Sequence, residues 1–289
     1  MSRIAIVTDS TAYLPPELVA QYGIHVIPVY VHFGEETFRD GVDLSTAAFY
    51  EKLKRADALP TTSQPSVGDF LALYRRLGRE AEAIVSIHIS SGLSGTVASA
   101  LAARQTLLEE AAERGDSPPE VHVVDSLFTS AALGLLVTAA ARLAAATSSA
   151  PVVVQATEDL LSHLTLIFCV DTLEYLHKGG RIGGASALLG TLIQIKPILH
   201  LIGGRIDVLE KVRTAQKAKR RLLGIMEERM GTEATVHAAI VHADVPDEAE
   251  KLKQEVASYF DCAELFICEF SPTIATHVGP GTVGLAFYQ

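Results

Sequence analysis

Short apolar runs alternate with longer amphipathic stretches over the first 150 residues, and this alternation constrains the fold more than any other feature. The runs that predict β-strands are residues 4–8, 24–31, 83–89 and 121–124. The stretches that predict helices are residues 16–22, 44–54, 67–77, 94–114 and 129–146. A run such as Ile84 to Ile89, apolar at nearly every position, is typical of a parallel strand that helices cover on both faces. The first half therefore predicts an α/β domain with a parallel sheet.

The pattern changes after a small-residue stretch, Ser148 to Pro151, which is a candidate linker. The strands predicted beyond it are residues 166–170, 197–202, 205–210, 234–242, 263–270 and 282–288. The helices predicted there are residues 152–161, 214–230 and 246–259. Because Gly203 and Gly204 form a two-residue connection, 197–202 and 205–210 predict a hairpin. We therefore expect two domains, residues 1–150 and 151–289.

Composition excludes several classes of protein. Acidic residues outnumber basic ones by 34 to 24, a net charge of -10, which argues against a nucleic-acid partner or an anionic membrane surface. No apolar run reaches 18 residues, so we expect no stable membrane insertion, and the opening residues lack a signal-peptide core. Three cysteines without a C-x-x-C pair favour the cytoplasm, and no histidine pattern indicates a metal site. With 48% hydrophobic residues, we expect a large core or an enclosed apolar cavity.

Polar loops follow three of the predicted strands, where ligands bind in parallel sheets. In the loops at Thr8 to Thr11 and at Asp125-Ser126, each polar residue is explained by capping of the next helix. The loop from Ser90 to Thr96 differs, because it places four hydroxyls and two glycines immediately before a long helix. Glycines let the backbone lie close to a ligand, and a helix N-terminus favours an anion. This loop predicts a site for a carboxylate or a phosphate.

Three further polar clusters have both a structural and a functional interpretation. Pro60 to Ser66 forms a rigid turn whose Ser66 can cap a helix, but its adjacent threonines remain unexplained. In Lys178 to Gly184, Arg181 lies among four glycines. These glycines either end one helix and begin the next, or they let the arginine face an anion. Thr276 to Gly281 places His277 before a turn that leads into the last strand.

Together these segments resemble the DegV family. The matching motifs are TDSTAYL at 8–14, TTSQPS at 61–66, ISSGLSGT at 89–96, LEYLHKGGRIG at 173–183, KPIL at 196–199 and THVGPGTVGLAFY at 276–288. They follow one another in the family's order from residue 8 to residue 288, so the resemblance covers essentially the whole chain. It implies a two-domain DegV-type α/β fold in which the C-terminal domain carries a mixed sheet. It also implies a long-chain fatty acid bound in a tunnel between the domains.

The resemblance also implies roles for particular residues. The fatty-acid carboxylate is expected on Thr62, Ser94 and His277, with Arg181 near it and with Ser91, Gly95 and Thr96 as the supporting loop. The family resembles the lipid-carrying subunit of bacterial fatty acid kinase, so the expected partner is a separate ATP-dependent kinase subunit. The chain itself is then not an enzyme, and it needs no cofactor besides the bound lipid. The apolar stretch 185–202 is expected to be buried, either as ordinary core or as tunnel wall.

Two other functions are open to the sequence. In a serine hydrolase, Ser94 would attack, His277 would accept its proton, and Asp9 or Asp125 would orient the imidazole. The chain lacks the G-x-S-x-G elbow typical of such enzymes. A kinase that binds its own nucleotide is less consistent with the sequence, because the sequence has no G-x-x-x-x-G-K-[ST] loop. Gly279 to Gly284 matches G-x-G-x-x-G, but only five residues follow it.

Overall fold

The computed structural model describes residues 4–189, 195–231 and 233–289. The helices α1 to α10 are Pro16–Tyr22, Thr46–Arg55, Val67–Leu77, Thr96–Arg114, Ser130–Ala146, Ala150–Leu161, Glu174–Lys178, Ala215–Met230, Pro246–Tyr259 and Pro272–Val278. The strands β1 to β13 are Ile4–Asp9, His25–Ile27, Tyr30–Phe33, Glu36–Arg39, Thr61–Ser63, Ala83–His88, Glu120–Asp125, Thr165–Cys169, Lys196–Ile202, Arg205–Val212, Thr235–His242, Asp261–Glu269 and Val283–Tyr288. Two 3-10 helices are Ser10–Ala12 and Gly183–Leu188.

The first sheet is parallel throughout, with strand order β2-β1-β6-β7. Alternate residues of its strands point to opposite faces. Val7 and Ile84 belong to a core with α3 and α4, whereas Ile6 and Val85 belong to a second core with α5. All six residues of β6 are buried, as a strand covered on both faces requires. The predicted parallel sheet flanked by helices is confirmed.

The second sheet is mixed and has six strands in the order β10-β9-β8-β13-β11-β12. Strands β11 and β12 are parallel, and the other neighbours are antiparallel. Helices α8 and α9 cover one face. The predicted hairpin is β9-β10, and Gly203 and Gly204 both have positive φ, 54° and 78°, as a tight hairpin turn needs. The predicted α/β class with a parallel and a mixed sheet is confirmed.

Helix α5 lies between the two sheets. It contacts β1 on one side and β11 and β13 on the other, and most of its side chains are buried. One hydrophobic core therefore draws on both halves of the chain. Helix α6, which begins at residue 150, packs on β6 and β7 of the first sheet.

A third sheet, antiparallel with order β4-β3-β5, was not predicted. The run 24–31 was predicted as one strand, but it divides at Pro28 into β2 of the parallel sheet and β3 of the small sheet. Proline has no backbone N–H to donate to the hydrogen bonds between neighbouring strands, so the strand is interrupted there. The next N–H, of Val29, is bonded instead to the Ser10 hydroxyl at 3.1 Å. The cluster at Pro60 to Ser66, predicted to be a rigid turn, contains strand β5 at Thr61–Ser63.

The apolar stretch 185–202 does not form one helix. Its described parts include most of a 3-10 helix and strand β9, and Leu188, Ile198, Leu199 and Leu201 are buried as expected. Leu189 and Ile202 are exposed, so the expectation of burial is wrong for these two residues. Residues 190–194 lie outside the described part of the chain, and so do the expectations for Leu192 and Ile193.

Candidate functional site

A cavity of about 60 Å³ lies where the small sheet, the Ser90 to Thr96 loop and helix α10 meet. Its apolar walls are Val29, Ile89, Leu93, Leu176, Ile206, Ile274 and Val278. All four side chains predicted to bind a head group, Thr62, Ser94, Arg181 and His277, line it together. Residues from both halves of the chain therefore enclose a mostly apolar space with a polar cluster in its wall.

Thr62 and His277 are joined directly, although 215 residues separate them in the sequence. The Thr62 Oγ1 lies 2.8 Å from the His277 Nε2. Pairing of β5 with β3 places Thr62, and the last turn of α10 carries His277. Helix α10 begins with Ser271 as its side-chain cap and ends at Gly279, whose φ of 74° favours glycine. His277 therefore lies in a helix, whereas the sequence predicted only a segment before a turn.

The other ring nitrogen of His277 faces Gly179. Among the described residues, its Nδ1 has no hydrogen-bond partner, and a Cβ at Gly179 would lie only 2.3 Å from it. Burial, reinforced by the charge of Arg181, lowers the pKa of His277 to about 4, so the ring is neutral near pH 7.

A buried N–H without a partner is rarer in proteins than a buried acceptor without one. We therefore assign the proton of His277 to Nε2, which donates to the Thr62 oxygen. The Thr62 hydroxyl hydrogen then remains available for an acceptor inside the cavity.

Ser94 lies in the turn that precedes α4. Its N–H donates to the Ser90 carbonyl at 3.0 Å, and its hydroxyl lies 2.9 Å from that of Thr96. Gly95 occupies the N-cap position and provides no side-chain cap, so that the first N–H groups of α4 lack that partner. The Gln64 amide covers Gly95, because a Cβ there would lie 2.8 Å from its Nε2. Anion binding by this loop stays a prediction.

The three predicted supporting residues have different surroundings. Thr96 is fully buried against Ser94, and Gly95 caps the helix. Ser91 is exposed, and its N–H donates to the Asp125 carboxylate. None of these three residues is among the described residues that line the cavity.

Arg181 connects two loops around the site. Its Nε donates to the Leu93 carbonyl at 3.1 Å, and its Nη1 donates to the Gly179 carbonyl at 2.6 Å. These bonds hold a permanent positive charge at the cavity wall. They also tie the Ser94 loop to the segment that contacts His277.

The geometry does not form the triad of a serine hydrolase. Asp9 accepts from the Ile89 N–H and lies 3.1 Å from the His88 Nδ1, and Asp125 accepts from the backbone N–H groups of Ser91 and Leu127. Neither carboxylate is a hydrogen-bond partner of His277, whose Nε2 is bonded to a threonine. The orienting acid that a triad needs is missing from the part of the chain that the structure describes.

Sequence reasoning missed several residues of the cavity. Thr129 and Thr273 line it, more than nine-tenths buried, and their hydroxyls have no hydrogen-bond partner among the described residues. Gln64 lies within a motif quoted above, but nothing in that motif indicated that its amide covers the start of α4. Single threonines in a helical or capping context carry no signal that separates them from ordinary caps.

Two negative findings apply to residues 4–189, 195–231 and 233–289. No group of three or more His, Cys, Asp or Glu side chains there is arranged to hold a metal ion. No helix there combines the length and the hydropathy that crossing a membrane requires.

The fold and this site define a class: an α/β protein with a parallel sheet, a mixed sheet and an apolar cavity with polar groups in its wall. The family model described as "Uncharacterised protein, DegV family" matches residues 3–289. The chain belongs to the DegV family.

Similar proteins are known in several bacteria. Protein DegV of Bacillus subtilis is 38% identical over 286 residues, which cover 99% of each chain. Its crystal structure, described as that of a fatty acid binding protein, aligns with TM-score 0.90 at 37% identity and covers both chains completely. A DegV family protein from Thermus thermophilus, whose structure is described in terms of fatty acid binding, has TM-score 0.90 at 37% identity over 99% of each chain.

Proposed function

We propose that this protein binds one long-chain fatty acid, with the aliphatic chain in the apolar cavity between residues 1–150 and 151–289. In this proposal the carboxylate lies at Thr62, Ser94 and His277, near Arg181. The fatty-acid-binding relatives support the ligand class. The observation that carries the proposal is the Thr62–His277 pair in the wall of an apolar cavity.

The energetics are consistent with tight binding. Each buried methylene contributes about 0.8 kcal/mol, so a chain of about fifteen methylenes offers roughly 12 kcal/mol before the costs of association. The carboxylate must be paired, because an ionised group buried without partners is strongly unfavourable. The Thr62 hydroxyl, the Ser94 hydroxyl and the N–H groups at the start of α4 are suitable donors, and Arg181 adds an opposite charge.

The function extends to presentation of the bound lipid to a cytoplasmic, ATP-dependent kinase subunit. A carboxylate oxygen forms a bond to the γ-phosphorus of ATP held by that partner. The bond between this phosphorus and ADP breaks, and ADP leaves with the electron pair. The product is an acyl phosphate, which stays on this protein. Because the sequence has no phosphate-binding loop of its own, the nucleotide comes from the partner.

The binding step is tested with delipidated protein and palmitate by calorimetry. Thr62→Val removes a hydroxyl that we place on the carboxylate, so we expect Kd to rise by roughly 10- to 150-fold, the equivalent of about 1.5–3 kcal/mol for a hydrogen bond to a charged group. Thr37→Val is the matched control, because the Thr37 hydroxyl also bonds a histidine, His32, at 2.9 Å, but on the exposed face of the small sheet. Equal affinities for all three proteins would refute the assignment of Thr62.

The presentation step is tested with the ATP-binding subunit of a bacterial fatty acid kinase. Hydroxylamine traps an acyl phosphate as a hydroxamate, which mass spectrometry detects. We expect the hydroxamate only when lipid-loaded protein, the kinase subunit and ATP are all present. Formation without the kinase subunit would contradict the non-catalytic role.

A further inference from the structure

A second cavity, of about 280 Å³, adjoins the first at the polar cluster. Thr62, Arg181 and His277 line both cavities, so these three side chains form the boundary between them. The outer cavity also touches Thr61 and Lys178, which are both exposed. It therefore opens to solvent on the far side of the groups that we place around the carboxylate.

The chemistry of the outer cavity differs from that of the inner one. Lys178 and Arg181 provide two positive charges, and none of the described residues that line it is an aspartate or a glutamate. Thr61 precedes Thr62 on β5, and successive side chains of a strand point to opposite faces. Thr61, whose role the sequence left unexplained, also lines this cavity. The surroundings favour an anion with more charge and more acceptor oxygens than one carboxylate.

Lys178 is free to change partners. It is paired with Glu174 one helical turn earlier, at 2.6 Å, and both side chains are 57% exposed. Such an exposed pair contributes little to stability. A phosphate group, with three acceptor oxygens and up to two negative charges, competes well for a mobile ammonium group.

We propose that the outer cavity is a phosphoryl subsite, which receives the phosphate of a long-chain acyl phosphate whose acyl chain occupies the inner cavity. This inference rests on the proposed function, because it requires the lipid head at the boundary between the cavities. Lys178 and Thr61 hold the phosphate, and Thr62 and His277 hold the acyl end. The subsite explains how one protein retains both a fatty acid and its larger, more charged product.

The test uses hexadecyl phosphate, a stable long-chain phosphate, and palmitate, each titrated into delipidated protein. Lys178→Met should lower the affinity for hexadecyl phosphate at least about tenfold, as expected for the loss of one charge-assisted hydrogen bond. The same variant should change the affinity for palmitate by less than about twofold, because Lys178 does not line the inner cavity. Thr61→Val should also lower the affinity for hexadecyl phosphate more than the affinity for palmitate.

The matched control is Lys54→Met. Lys54 is 62% exposed and is paired with Glu51 on its own helix, and it lines neither cavity. It should leave both affinities unchanged.

The subsite is refuted if Lys178→Met affects both lipids equally or affects neither. It is also refuted if inorganic phosphate alone binds palmitate-loaded protein with the same dependence on Lys178, because the cavity would then accept free phosphate. If the wild type binds hexadecyl phosphate but not palmitate, the fatty-acid proposal fails and the subsite stands.

Discussion

Gly179→Ala tests whether the position of His277 controls ligand binding. Gly179 has φ -75° and ψ -7°, an ordinary helical conformation that alanine adopts without strain. The new methyl group would lie 2.3 Å from the His277 Nδ1 and 3.0 Å from the Tyr175 carbonyl oxygen. The substitution therefore acts mainly through contact with the imidazole.

The size of the effect follows from these distances. Ordinary van der Waals contact begins at 3.4 Å, so the ring must move by about 1.1 Å, the difference between 3.4 and 2.3 Å. A shift of that size is enough to break the 2.8 Å bond to Thr62. Overpacking of a buried site costs about 1–3 kcal/mol, which corresponds to a roughly 5- to 150-fold loss of affinity where the ligand needs the original geometry.

The assay is a double-mutant cycle with palmitate binding measured by calorimetry. In the wild-type background, Gly179→Ala should weaken binding within that range. In a His277→Ala background it should have almost no further effect, because the colliding ring is absent. An equal loss in both backgrounds would refute the argument, since the alanine would then act through something other than His277.

Four further predictions concern the site and the pH dependence of stability. Ser94→Ala should lower palmitate affinity and leave the unfolding midpoint nearly unchanged in a thermal scan, and the Ser94 assignment is wrong if affinity is unaltered. Because burial lowers the pKa of His277 to about 4 from 6.5, the unfolded chain binds more protons between these values. The unfolding free energy of the wild type should therefore rise relative to His277→Gln, by up to about 1.4 kcal/mol per pH unit, as pH increases through this window. Burial raises the pKa of Asp40 from 3.8 to about 6, so the sign reverses: the wild type should lose stability relative to Asp40→Asn as pH rises from 3.8 to 6. Urea titrations at several pH values measure the unfolding free energies of the wild type and of each variant. If the difference between wild type and variant does not change with pH, the corresponding prediction is wrong. An activated acyl ester should give no burst of acyl-enzyme, since none of the described carboxylates orients His277, and a burst that Ser94→Ala abolishes would restore the hydrolase alternative.

Much of the fold could be predicted because its helices and strands carry local signals. Helix α3 is predicted within its observed bounds, since Ser66 and Asp69 form a capping box at its start. Pro16 and Gly23 mark the two ends of α1 in the same way. The apolar strand β6 indicates a sheet buried on both faces.

The remaining elements could not be predicted from local sequence. Strand β5 has three residues and exists because β3 provides its ladder. Helix α10 has seven residues and includes a histidine and two threonines, so that tertiary packing decides its conformation. Short elements of this kind are stabilised by contacts distant in sequence.

The same distinction applies to the site. Local sequence motifs identified Thr62, Ser94, Arg181 and His277 as site residues, and all four line the cavity. The bond between Thr62 and His277, the contact of Gly179 with the imidazole and the second cavity at Lys178 depend on how the segments meet in space. Sequence spacing carries no information about such distances.

The proposed function requires that the cavity hold a fatty acid by its carboxylate. Denaturing extraction of the purified protein, followed by mass spectrometry of the released small molecules, shows whether it does. We predict about one equivalent of a long-chain fatty acid per chain from the wild type and clearly less from Thr62→Val. Recovery of no aliphatic acid from the wild type, together with no uptake of added palmitate, would contradict the claim.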